Sequence, residues 1–324
     1  MKKIQFSFLS ALVVGAASIL ASGIACADDV FVSNNGNNSI EEIVNGVPTT
    51  FVAPTSDLSG PTGIATYGGN IYVANNANNP IGGGFVAEFS LNGTFEGDVA
   101  TGLNAPRGVV FDSFGNMYVS NQDGGTITEV PAGGGPAKTI VSGLAFAEAL
   151  TFDNANNLYV TNYDSAIGGG NNIQKISLTD GVVNSITTFA TMGVNDPIGI
   201  TFDTVGANAG NFFVVQQSNQ VVEFNLAGKI VPPNPFIQDL NTSDAADDIT
   251  VDTAGDFYVT DNGDNTVTEY NSLGEVLKVY NSPGAFDGPC YLTSLVVPEP
   301  STYVLCIAGL GLLVFLRRRK AVTA

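Results

Sequence analysis

The sequence predicts an all-β protein, a β-propeller of six four-stranded blades closed into a ring. Three observations predict it. First, an aromatic and β-branched run recurs as "VFVSNNGNN", "IYVANNANN", "MYVSNQDGG", "LYVTNYDSA", "FFVVQQSNQ" and "FYVTDNGDN". Second, these runs begin at residues 30, 71, 117, 158, 212 and 257, spacings of 41, 46, 41, 54 and 45 residues. A period of 40–50 residues holding several strand signals is the mark of a propeller. Third, no stretch outside the two ends of the chain has the 3.6-residue apolar period of a helix.

Each repeat is predicted to supply four strands in a fixed order. An innermost strand comes first, as in "PRGVVFD", "AEALTFD", "PIGITFD" and "DDITVD". A tight turn follows, where Asp112, Asp153, Asp203 and Asp252 can accept backbone N–H bonds. The aromatic run is the second strand. The third reads "TITEVP", "NIQKIS", "QVVEFN" or "TVTEY", and the fourth "TTFVA", "KTIVSG", "ITTFAT" or "LKVYN". Gly, Asn and Pro punctuate the junctions. The strand count closes only as a ring. "DVFVSN" has no inner strand before it, and "PCYLTSLVV" has no second strand after it. Pairing the last with the first completes blade one and removes two free edges. The propeller is expected over residues 28–297.

The recurring Pro-x-Gly, the Phe-Asp strand end, the Gly-Asn turn and Tyr-Val-x-Asn resemble the NHL-repeat propellers over roughly 270 residues. Blade five departs from the pattern, with the longer turn "TVGANAGN" and Gln216 in place of Asn. The resemblance implies a fold and leaves function open.

The two ends carry addresses. Lys2 and Lys3, an apolar run and Ala25-Cys26-Ala27 form a secretory signal over residues 1–27. Gly23-Ile24-Ala25-Cys26 also loosely resembles a lipoprotein cleavage site, but it has Gly where a large aliphatic residue is usual. Cleavage after Ala27 is therefore the expectation. At the other end, Pro298-Glu299-Pro300 precedes an apolar segment, 301–316, and a basic cluster, Arg317, Arg318, Arg319 and Lys320. Sixteen residues fall short of the ~20 that span a bilayer. The order of parts over 298–320 resembles the PEP-CTERM sorting signal. That resemblance implies a membrane-tethered precursor and processing by an exosortase-type enzyme. It also implies delivery to the cell surface or extracellular matrix of a Gram-negative bacterium. The two prolines forbid helix and keep the motif extended and accessible.

Composition excludes several functions. Setting aside Lys2, Lys3, the terminal basic cluster and Glu299 leaves five basic against 29 acidic residues, a formal charge of −24. Such a field repels phosphate backbones, so nucleic acid is not an expected partner. Past the signal only Cys290 and Cys306 remain, and Cys306 lies in the apolar tail, so stability must come from a core. Histidine is absent. Ser-His-Asp and Cys-His catalysis and His-ligated zinc are thereby excluded.

Candidate sites lie where inner strands begin and second strands end, on one face of the ring. The column at the inner-strand start is Thr62, Arg107, Glu148, Ile198, Asp247 and Cys290. Glu148 and Asp247, with Asp248 beside them, are candidate metal ligands facing a central funnel, and calcium suits such oxygen donors. Alternatively, Glu148 and Asp247 are solvated or pair with Arg107. The gluconolactonase-like propellers resemble this arrangement, which implies metal-assisted lactone hydrolysis, although this column has no Asn. A second column, Asn34, Asn75, Asn121, Asn162, Gln216 and Asp261, either caps turns or forms a polar ring for sugar hydroxyls. The insertions "NNPIGGG" and "SAIGGGNN" extend loops on the same rim. The expected role is a non-catalytic binding scaffold for exopolysaccharide or a surface protein. The alternative is a calcium-type hydrolase.

Overall fold

The computed structural model describes residues 27–77, 83–163, 170–238, 240, 246–281 and 284–297. The predicted signal, the sorting signal with its apolar segment, and most of both Gly-rich insertions lie outside them. Residues 29–295 form one compact unit. Among the described residues no helix is long and apolar enough to cross a membrane.

The described strands form six four-stranded antiparallel sheets, the predicted blades. Blade one holds β1 (Ala27–Asn34), β2 (Ser39–Val44) and β3 (Val47–Val52). Blade two holds β4 (Pro61–Tyr67), β5 (Asn70–Asn75), β6 (Gly84–Ser90) and β7 (Phe95–Leu103). Blade three holds β8 (Pro106–Phe111), β9 (Met117–Asn121), β10 (Thr126–Val130) and β11 (Lys138–Ser142). Blade four holds β12 (Phe146–Phe152), β13 (Asn157–Tyr163), β14 (Asn172–Thr179) and β15 (Val182–Ala190). Blade five holds β16 (Pro197–Phe202), β17 (Phe212–Gln216), β18 (Gln220–Phe224) and the two-residue β19 (Ile237–Gln238). Blade six holds β20 (Ala246–Val251), β21 (Phe257–Asp261), β22 (Thr266–Tyr270) and β23 (Val276–Tyr280). The last strand, β24 (Pro289–Val297), pairs with β1 and completes blade one from the far end of the chain.

The turns form as their residues dictate. One carboxylate oxygen each of Asp112, Asp153 and Asp252 accepts two backbone N–H bonds, all at 2.9 Å. Asp203 accepts one at 2.8 Å, and its longer turn holds a single 3-10 turn, Gly206–Asn208. The second strands are buried between neighbouring blades. Their aromatic rings interlock there, most densely around Phe212, which meets Tyr159, Phe189 and Phe202 at centroid distances of 4.3, 5.0 and 4.8 Å.

A hydroxyl clip joins blade to blade. The inner strands β4, β8, β12, β16 and β20 each shift register against their neighbours just after their starts, as between Pro106 and Val109. In four blades a Ser or Thr near the end of the second strand, Ser33, Ser120, Thr161 or Thr260, fills that irregularity. Ser33 accepts Tyr291 N–H at 3.1 Å and donates to the Thr62 carbonyl of the next blade at 2.6 Å. Thr161 accepts Ala149 N–H at 3.0 Å and donates to Ile198 at 2.6 Å. Thr260 accepts Asp248 N–H at 2.9 Å and donates to Cys290 at 2.8 Å. Ser120 does the same between Gly108 and Glu148. Ala74 and Val215 stand in this column without a hydroxyl; Thr62 bonds Pro106 at 2.8 Å in its place. Thr260→Val should therefore cost about 1–3 kcal/mol, because it leaves buried backbone groups unpaired. Urea unfolding at constant m-value measures this, and a loss under about 0.5 kcal/mol would refute the clip.

The axis is shaped by the next residue of each inner strand: Gly63, Gly108, Ala149, Gly199, Asp248 and Tyr291. A Cβ at Gly199 would lie 2.6 Å from Asp248 Cα, and one at Gly108 would lie 3.0 Å from the Glu148 carbonyl. The glycine of Pro-x-Gly is thus required by close strand approach. Tyr291, 4 % exposed, uses the space those small residues leave. Its hydroxyl reaches Glu148 Oε2 at 3.4 Å, from blade one to blade four.

Candidate functional site

Two columns of side chains meet at the mouth of the ring. The inner-strand starts supply Arg107, Glu148, Ile198 and Asp247; the end of β13 supplies Tyr163, and the loops after β9 and β17 supply Gln122 and Gln217. Together they line a cavity of about 210 Å³. Hydrogen bonds hold the loops over the inner-strand starts: Gln122 N–H donates to the Ala105 carbonyl at 2.9 Å, and Gln217 N–H to Asp196 at 3.0 Å.

The amide column behaves as caps. Asn34, Asn75, Asn121, Asn162, Gln216 and Asp261 are all buried, at most 3 % exposed. Asn75 accepts Ser59 N–H, Asn162 accepts Ala145 N–H, both at 2.8 Å, and Gln216 donates to the Gly193 carbonyl. The accessible polar ring is displaced by one residue: Asn35, Asn76, Gln122, Tyr163, Gln217 and Asn262. Side chains alternate along a strand, and of these residues Gln122, Tyr163 and Gln217 line the cavity. That alternation was the signal available in the sequence.

Arg107 is the single arginine between the two ends of the chain and the centre of this mouth. Its Nε donates to Gln122 Oε1 at 3.2 Å and lies 3.7 Å from Glu148 Oε2. Gln122 Nε2 donates to Glu148 Oε1. With Tyr291 on Oε2, both oxygens of Glu148 are engaged. Burial works against the Arg107 cation, yet Glu148, and then Tyr291, Cys290 and Asp247, hold it protonated above its ordinary range. Burial also raises the Glu148 carboxyl, opposed by Arg107 and Gln122.

The three expected metal ligands divide between two spaces. Glu148 and Asp247 line the mouth. Asp248 faces a separate axial channel of about 140 Å³, where its Oδ2 accepts Leu292 N–H at 3.3 Å. Burial holds Asp248 well above the usual carboxylate range. Among the described residues no three His, Cys, Asp or Glu side chains gather to hold a metal ion. With Glu148 committed to Arg107, the mouth offers a cation one carboxylate, and the residues do not fit a calcium site. Cys290 is a buried free thiol, pushed up to about 12 by burial and by Asp247.

Burial pushes the Asp247 carboxyl up to about 7, with Arg107 opposing and Glu148 assisting. The folded protein thus holds this proton more tightly than the unfolded chain does. Its contribution is full below about pH 4 and is lost as pH rises to about 7. Asp247→Asn should flatten that slope and stabilise the protein at pH 7.5 by about 1–2 kcal/mol, after screening at this half-buried site. Melting curves from pH 4 to 8 test this, and parallel slopes for the two proteins would contradict it.

Comparison with solved structures places the fold first. The chain is similar to a crystal structure of a nidogen/laminin complex, at TM-score 0.67 and 15% identity over 84% of this chain and 99% of that one. It is similar to virginiamycin B lyase from Staphylococcus aureus, at 0.56 and 18%, covering 85% and 93%. It is also similar to a gluconolactonase from Xanthomonas campestris, at 0.56 and 15%, covering 73% and 84%. At such identities the likeness is one of fold. No curated protein matches the chain in sequence. The tail is identified directly: residues 296–320 match the PEP-CTERM protein-sorting motif. An NHL-like six-bladed propeller is therefore joined to a sorting motif that implies export, a membrane-anchored precursor and exosortase processing to the cell surface.

Proposed function

We propose that this surface protein is a non-catalytic binding scaffold. Its recognition surface is the mouth of the propeller, and its ligand is the exopolysaccharide of a Gram-negative cell surface or matrix. The observation that carries this reading is the polar lining of the mouth by Gln122, Tyr163 and Gln217, with Asn262 beside Asp247. Planar amides and one aromatic ring suit the hydroxyls and apolar faces of sugars. Glu148, already bonded to Arg107, Gln122 and Tyr291, is poorly placed to act as a free acid or base.

The test is an overlay of the mature protein on extracted surface polysaccharide, beside a Gln122→Ala/Gln217→Ala/Asn262→Ala variant. Retention by the parent and loss in the folded variant is the expected result. Failure of the parent to be retained, or equal retention of both, would overturn the reading.

A further inference from the structure

The two halves of the mouth differ in charge balance. On one side Arg107, Gln122 and Glu148 satisfy one another. On the other, Asp247 stands with Gln217 and Tyr163 in the same cavity. The three ion pairs among the described residues are Arg107–Glu148, Lys138–Glu129 and Lys175–Asp153, and none includes Asp247. Its hydrogen-bonding neighbours are the Asn262 amide and the Cys290 thiol, both neutral. The mouth therefore carries two carboxylates against one guanidinium. With both carboxyls ionised it is one positive charge short, Arg107 being shared between Glu148 and Asp247, inside a propeller of formal charge −24, counting the five basic and 29 acidic residues of 28–297.

We infer that the half formed by Asp247, Gln217 and Tyr163 receives a primary ammonium carried on a sugar ring, the chemistry of an amino sugar. This rests on the reading of the mouth as the recognition surface. An ammonium offers three donors. Asp247 supplies an anionic acceptor and Gln217 Oε1, which already accepts the Tyr163 hydroxyl at 3.3 Å, a neutral one. The half-buried Tyr163 ring is steadied by Phe146 at a centroid distance of 6.1 Å. An aromatic face beside a carboxylate favours a cation and also stacks on a sugar's C–H face. The cavity of about 210 Å³ admits a single ring. Around it stand carboxamides, which match hydroxyls. Ile198 is the one aliphatic side chain of the lining, a poor match for the four-carbon stem of a lysine.

Binding should depend on pH. The groups facing Asp247 are Arg107, Glu148, Asn262 and Cys290, with Asp248 and Tyr291 beyond. Because its carboxyl titrates near 7, glucosamine should bind several-fold more tightly at pH 7.0 than at pH 5.5.

The experiment is calorimetric titration of the full chain in mild detergent with glucosamine, N-acetylglucosamine, glucose and lysine amide. Glucosamine should bind at least roughly tenfold more tightly than the two neutral sugars, as expected for a desolvated charge pair. Asp247→Asn should abolish that preference and Tyr163→Leu should weaken binding. Asp180→Asn, at an exposed outer turn, should change nothing. Equal affinity for glucose, equal affinity in Asp247→Asn, or lysine amide binding as tightly as glucosamine would overturn the inference. So would an absence of glucosamine binding. If the polysaccharide overlay succeeds while glucosamine fails, this inference alone falls. If both fail, the recognition reading falls with it.

Discussion

Arg107→Met should destabilise the protein by about 3–5 kcal/mol at pH 7.5, the range for breaking one side of a buried ion pair. Among the described residues the arginine is the only cation in contact with Glu148, whose side chain is 6 % exposed. Methionine fills much of the same volume, so the loss reports charge and hydrogen bonds more than packing. Gln122 and Tyr291 remain as neutral partners of the stranded carboxylate. The pH dependence distinguishes this cause from a packing defect. Burial already raises the Glu148 carboxyl, and removing the guanidinium raises it further. In the variant Glu148 escapes the penalty by taking a proton, so the loss should shrink markedly at pH 5. Urea titrations at the two pH values decide the matter, and a pH-independent loss would assign the effect to packing.

Phe212→Ala should cost about 3–5 kcal/mol, the usual result of truncating a large core aromatic. Phe212 is fully buried where blades four and five meet. Its ring lies within 5.0 Å, centroid to centroid, of Tyr159, Phe189 and Phe202. Those neighbours sit on three strands of two blades, β13, β15 and β16, so the hole cannot close by moving one of them. Phe212→Leu keeps most of the volume and should lose less than half as much. Thermal and urea unfolding of both variants test this. A loss below about 1.5 kcal/mol for the alanine variant would show that the blades slide together.

Much of the fold was legible because strands impose a period of two and blades a period near 45, and both survive in single residues. The Phe-Asp strand ends, the turn aspartates and the orphan strand "PCYLTSLVV" each fell where the structure puts them. The site was less legible. Its residues depend on which face of a strand looks into the mouth, and the reading stopped at Asn121 and Gln216 when the accessible partners were Gln122 and Gln217. A one-residue error flips a side chain to the other face. Asp248, expected beside Asp247 at the funnel, faces the axial channel instead for the same reason, since it is the next residue of the strand. The clip formed by Ser33, Ser120, Thr161 and Thr260 looks like ordinary strand composition. Only the register shift in the neighbouring strand gives those hydroxyls a purpose.

The pairing of β24 with β1 has a consequence for the order in which the chain is made. Tyr291 and Ser33, which touch in the finished ring, are 258 positions apart. Bringing such distant points together costs about 5 kcal/mol of chain entropy, recovered only when the whole circle has formed. A ribosome adding ~5–20 residues per second needs roughly 13–50 seconds to reach the second partner after making the first. Throughout that interval blade one lacks its innermost strand, and the nascent chain cannot lock. The closed ring therefore waits for β24, the last of the described strands to be made.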